Sequence, residues 1–157
     1  QAYSNYLRCA LNEDVSQDIQ EILDSETVDE TTKSQLVNTR IGQGQFRKDL
    51  IQHWDGCAVT GYKSVQFLVA SHIKPWKDSS DVERLSKFNG MLLLPNLDKV
   101  FDLGFITFEE NGVIRVSQYI ENPEVIGLRE DMSVSLSDEH QSFMAYHGDV
   151  EFEKKIA

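Results

Sequence analysis

The sequence predicts an α+β domain, and three observations carry that prediction. An apolar run, "SVQFLVA", ends at Ala70, two residues before His72 and shortly before Pro75. A second run, "NGMLLL", opens at Asn89, and "FITFEENGVIRVS" has the form of a strand, a turn and a strand. Around them lie stretches whose apolar residues recur at helical rather than alternating intervals. With 157 residues the chain has the length of one domain with room for an appendage.

In chain order, residues 1–36 read as helical and acidic, with Ile19, Ile22 and Leu23 of "DIQEILD" at helical spacing. "SETVDETTKSQ" is a polar loop or a helix start. A helix is expected over about 43–53, with Phe46, Leu50 and Ile51 on one face. "DGCAVTGY" reads as turn, short strand, turn, and a strand follows at 65–70. Pro75 cannot extend a sheet, so the chain leaves it near His72 and enters a polar loop over 72–88. Asn89 and Gly90 turn the chain into a buried strand. Pro95 stands at a first helical position and Gly104 at a stop, which frames a short helix. Asn111-Gly112 is a strong hairpin turn. Ser137, three residues before His140, makes an imperfect capping box for a last helix.

Composition excludes several classes. An apolar fraction of 40% with fifteen aromatic residues supports a core, so the chain is not disordered. No apolar run approaches the roughly 20 residues of a membrane span, and no signal-peptide pattern opens the chain, so no membrane partner and a cytoplasmic location are expected. Cys9 and Cys57 lack any paired spacing, so they read as reduced thiols with no structural zinc.

The net charge of −11 is unevenly placed. Residues 1–39 hold two Lys/Arg against eight Asp/Glu, and residues 100–157 hold four against twelve. Residues 40–99 reverse the balance, nine against six. The basic stretch surrounds His72, and a locally basic face can hold phosphates on an acidic protein. Read on charge alone, ordinary scatter explains it too.

On the short helix, Asp98 and Asp102 are four apart and share a face. Two carboxylates there repel each other unless a hard cation sits between them, and Mg²⁺ favours such oxygen ligands. The plainer reading of Asp98 is a solvated acid near a helix start.

Taken together, "RIGQGQFRKDL", "GCAVTGY", "ASHIKPW", "NGMLLLPNLDKVFDLGFITF" and, weakly, "YHGDVEF" resemble the HNH endonuclease family, most of all its restriction-type branch. The resemblance covers most of 40–152. It implies a ββα-metal core with flanking helices and a β-hairpin, divided as an acidic helical segment or linker at 1–39 and a nuclease domain at 40–157. His72 matches the family's general base. Asn89 matches the middle Asn that orients it. Asp98 stands where the last His or Asn of the family ligates metal, and Asp102 stands one turn later. The chemistry is coherent: imidazole accepts a water proton near neutral pH, and carboxylates favour one Mg²⁺ or Mn²⁺ over Zn²⁺ or Ni²⁺. Ser71 departs from the acidic or imidazole ligand that many members place before the base.

The implied activity is metal-dependent hydrolysis of DNA phosphodiesters, linked to restriction of foreign DNA. Arg40, Arg47, Lys74, Lys77 and Lys87 are the candidate DNA contacts, with Gln43 and Arg84 beside them. For Arg47 a packed stem or a pair with Asp49 or Asp55 competes, and for the loop lysines a solvated surface. Trp76 reads as a lid on the core, His147 as packing or hydrogen-bonding support, and His53 and His140 as surface residues. Target choice is left to a homodimer or to an N-terminal specificity domain outside this chain. Two other classes compete. A catalytically degenerate module of the same fold would bind DNA or a protein. An acidic mimic of DNA would use the −11 charge but leaves His72, Asn89 and Asp98 unexplained.

Overall fold

The computed structural model describes residues 17–154. The chain forms two compact units, divided between Lys48 and Asp49, nine residues beyond the boundary expected at 39/40. In the first, residues 17–24 are helical (α1), and the helix α2, Glu30–Trp54, begins. Asp29 starts α2: its Oδ1 accepts the Thr32 amide at 2.8 Å, filling one of the donors a helix start leaves open. That amide bond, with a second hydrogen bond from the Thr32 hydroxyl, holds the Asp29 carboxyl below its ordinary value. Arg40 Nε donates to Asp18 of α1. The helix expected over 43–53 is therefore the last half of a longer one, which continues through Gly42 and Gly44 despite their poor propensity.

In the second unit, past the end of α2, the chain reverses at Asp55 and Gly56, both at positive φ. "DGCAVTGY" holds no strand. Cys57 N–H donates to Tyr62 O and Gly61 N–H to Cys57 O, closing a turn, and Ala58 N–H donates to Leu92 O. Residues Val65–Phe67 are a single 3-10 turn and the strand β1 is Val69–His72, so the strand starts four residues later than expected but still ends on the histidine. It pairs antiparallel with β2, Gly90–Leu93, in a register that sets His72 opposite Gly90 and Ser71 opposite Met91.

Every residue of β2 is buried, and Met91, Leu92 and Leu93 are fully so, each such side chain contributing about 2 kcal/mol. They leave little freedom for β1 to slip. The loop between the strands holds the short helix α3, Asp81–Leu85, closed by a reciprocal capping box between Ser80 and Glu83.

Pro95 does start a helix, α4, Pro95–Asp102, which buries Leu97, Val100 and Phe101. Gly104 ends it at φ +80°: its N–H reaches Phe101 O and the Phe105 N–H reaches Val100 O, a Schellman closure. A Cβ there would stand 2.3 Å from the backbone oxygen of Glu151, so the tail is seated directly on this glycine.

The hairpin stands as read: β3, Ile106–Phe108, pairs antiparallel with β4, Ile114–Val116, with Gly112 at φ +87° in the turn. Ser137 then caps with His140 in place of a glutamate, the Ser137 N–H donating to His140 Nδ1 at 3.0 Å. That bond places His140 at zero exposure, which corrects its reading as a surface residue. The helix α5, Gln141–Tyr146, passes into a π-turn, His147–Glu151.

Candidate active site

A cleft of about 350 Å³ opens where β1 ends, and the structure brings His72, Ser71, Asp98 and Asp102 to its lining. Each arrives for a local reason. The strand must stop before Pro75, which leaves His72 at the rim. The Pro95 start sets the phase of α4, and the apolar face of Leu97, Val100 and Phe101 turns inward, so Asp98 and Asp102 meet the cleft.

His72 is half-buried, and its Nε2 lies 2.8 Å from the carbonyl oxygen of Arg84. A carbonyl can only accept, so Nε2 carries the proton and the basic lone pair is on Nδ1. Burial pulls the imidazole pKa below its ordinary value, against a smaller upward pull from the Arg84 carbonyl. Burial thus favours the neutral form of the ring.

Asn89 holds the loop that supplies that carbonyl. Fully buried, it accepts the Lys74 N–H at 2.8 Å and donates from Nδ2 to Glu83 O at 3.1 Å and to Ser79 Oγ at 3.2 Å. Glu83 O immediately precedes Arg84, so one side chain anchors the position that fixes His72. Arg84 adds to this: Nε donates to Trp76 O at 2.9 Å, and the guanidinium lies 4.4 Å over the Trp76 ring. Trp76 in turn meets His72 edge to face and lines the cleft.

Asp98 is half-buried and Asp102 exposed. Burial raises the Asp98 carboxyl above the usual range and the Asp102 charge raises it further, while a hydrogen bond from the Ser71 hydroxyl opposes both. Ser71 is thus a donor to the carboxylate, a role that its poverty as a metal ligand concealed. Two mutually repelling carboxylates beside a neutral imidazole are a hard, oxygen-rich donor set, and it fits a divalent cation that keeps waters. Among the described residues no three His, Cys, Asp or Glu side chains are grouped closely enough to hold an ion by themselves.

Two further lining residues come from the π-turn. His147 is buried, stacked on Phe101 at 3.7 Å, with Nδ1 2.9 Å from the Thr107 hydroxyl and Nε2 3.0 Å from Phe101 O. Burial lowers its pKa to about 4. Both nitrogens are engaged, as a supporting role requires. Glu151 also lines the cleft, and the sequence reading did not single it out. The signal was present: His147 and Glu151 are four apart in a helical tail and so share a face.

The cationic candidates separate. Lys74 is paired with Glu83, at 3.2 and 3.1 Å to the two carboxylate oxygens, and lies over the Tyr146 ring. Lys77 and Lys87 are exposed. Arg40 and Arg47 belong to the first unit, Arg40 bonded to Asp18.

The segment that carries both strands, α4 and β3 matches the HNH endonuclease family, over residues 57–109. About a third of the chain is covered, and His72, Asn89, Asp98 and Asp102 all fall inside it. The match points to nuclease chemistry, in a family whose members generally use a divalent metal ion. No curated protein matches the chain. Among the described residues no helix is long and apolar enough to cross a membrane.

Proposed function

We propose that the second unit is a metal-dependent DNA endonuclease in which β1, β2 and α4 form the ββα-metal core. One observation carries this reading: His72, held through Nε2 by the Arg84 carbonyl, lines the same cleft as Asp98 and Asp102. His72 takes the proton of the attacking water. Asn89 keeps the loop, and with it the ring, in position. Asp98 and Asp102 would hold a single Mg²⁺ or Mn²⁺, and Ser71 aims the first of them. Bound there, the ion would supply charge stabilisation to the phosphate and the departing 3′ oxygen.

Lys77 and Lys87, exposed beside this cleft's loop, are the leading phosphate contacts; Arg40 and Arg47 are assigned the same role from the first unit. The resemblance to restriction-type members supports a defence role in a cytoplasm, with the acidic segment 1–39 a linker or regulatory piece. Specificity is assigned to a homodimer or a further N-terminal domain.

A second reading, a module that binds without cutting, is favoured by one observation: Lys74 and Arg84 spend their charges on Glu83, Asp81 and Trp76. Plasmid cleavage in Mg²⁺ or Mn²⁺ decides between the two. The nuclease reading expects nicking by the wild type and none by His72→Ala. Equal silence from both, with DNA still bound, would establish the module.

A further inference from the structure

The cleft holds a third carboxylate that the mechanism above does not use. Glu151 has a side chain only 9% exposed, and its Oε1 is buried with no hydrogen-bond partner. Lys154 Nζ is 3.7 Å from that oxygen, outside hydrogen-bond reach, on a side chain that is 46% exposed. A buried carboxylate oxygen without a hydrogen-bond donor is unfavourable, and an ion pair at this distance with a half-exposed lysine offsets that only in part. Its position is not incidental. The backbone oxygen of Glu151 packs on Gly104, and Glu153 N–H donates to Gly104 O at 2.9 Å. These contacts fix the tail to the end of α4, two residues beyond Asp102.

From this we infer that Glu151 is a positioning residue of the metal site: its carboxylate, at the cleft lining, accepts a hydrogen bond from water bound to the ion that Asp98 and Asp102 hold. The inference rests on the nuclease reading above. A water-mediated role follows from the geometry, because no three acidic or imidazole side chains among the described residues are close enough to ligate one ion together. It follows also from the ion, since Mg²⁺ gives up its waters reluctantly and is met through them. Hydrogen-bonded partners of this kind orient what the direct ligands hold.

The test is Mn²⁺ titration of the full chain by calorimetry, without DNA, for wild type, Asp98→Ala, Glu151→Gln and Glu151→Asp. Expected are loss of binding in Asp98→Ala, weakening of about tenfold in Glu151→Gln, and an intermediate value in Glu151→Asp, which keeps the charge but withdraws it. Affinities of both Glu151 variants within twofold of wild type, with Asp98→Ala still defective, would overturn this inference and leave the nuclease reading standing. A wild type that takes up no Mn²⁺, or an Asp98→Ala that binds as wild type does, would overturn both. Should Glu151→Gln fail to fold, Glu151→Asp decides alone.

Discussion

Two imidazoles line one cleft, at opposite ends of the folded segment, and they are held in opposite ways. His72 closes a strand, half-buried, with Nε2 on a loop carbonyl and its basic lone pair on Nδ1. His147 opens a π-turn, 2% exposed, with both nitrogens bonded and its face against Phe101. Burial lowers the pKa of each. Lowered basicity therefore does not distinguish a reactive histidine from a structural one. The distinction is one of place: His72 ends a strand at the rim of the cleft, whereas His147 is buried with a partner on each nitrogen.

The comparison breaks most visibly by removing each ring. His72→Ala should lower plasmid nicking by about a thousandfold and leave the urea midpoint nearly unchanged. His147→Ala should do the reverse, costing about 3 kcal/mol of stability through a cavity and two stranded hydrogen-bonding groups. A folded His147→Ala that cannot nick would place that ring in the chemistry instead.

Acid sharpens the same contrast. His147 has a folded pKa of about 4 against 6.5 when unfolded, so the unfolded chain takes up the proton first. Its contribution is present in full above pH 6.5 and is lost as pH falls toward 4, amounting to about 3 kcal/mol. Denaturant melts between pH 7 and 4 should show that loss, and His147→Ala should flatten it.

Asn89→Ala comes next. It strands the Lys74 amide and the Glu83 carbonyl, for about 2 kcal/mol, and frees the loop that fixes His72. Nicking should fall with little change in DNA affinity, measured by gel shift. The smallest effects belong to the lysines. Lys77→Ala and Lys87→Ala should each lower the slope of log affinity against log salt by about 1. Lys74→Ala, already paired with Glu83, should leave that slope unchanged.

What could be read in advance was what local chemistry dictates. Pro75 ends β1, Asn89 and Gly90 open β2, Pro95 and Gly104 bracket α4, and Gly112 turns the hairpin, each through its own backbone preference. His72, Asp98 and Asp102 follow from those boundaries, since each sits a fixed step from one of them. The failures share a different cause. Val65–Phe67 coils rather than extends, and "DGCAVTGY" closes on itself, because bonds such as Ala58 N–H to Leu92 O come from 34 residues away. His140 is buried by a cap that most sequences build with Glu or Gln, and Glu151 enters the cleft only because the tail docks on Gly104. Tertiary contacts of this range leave no periodic trace.

The seat that Gly104 offers the tail also limits what can be excised. A fragment trimmed to the matched span, 57–109, would retain His72, Asn89, Asp98 and Asp102 while discarding His147 and Glu151 from the lining of the cleft. Anyone transplanting this site into another scaffold must carry a stretch that lies some forty residues downstream. The working part is not contiguous, and recombination at the obvious borders would yield a half-open pocket.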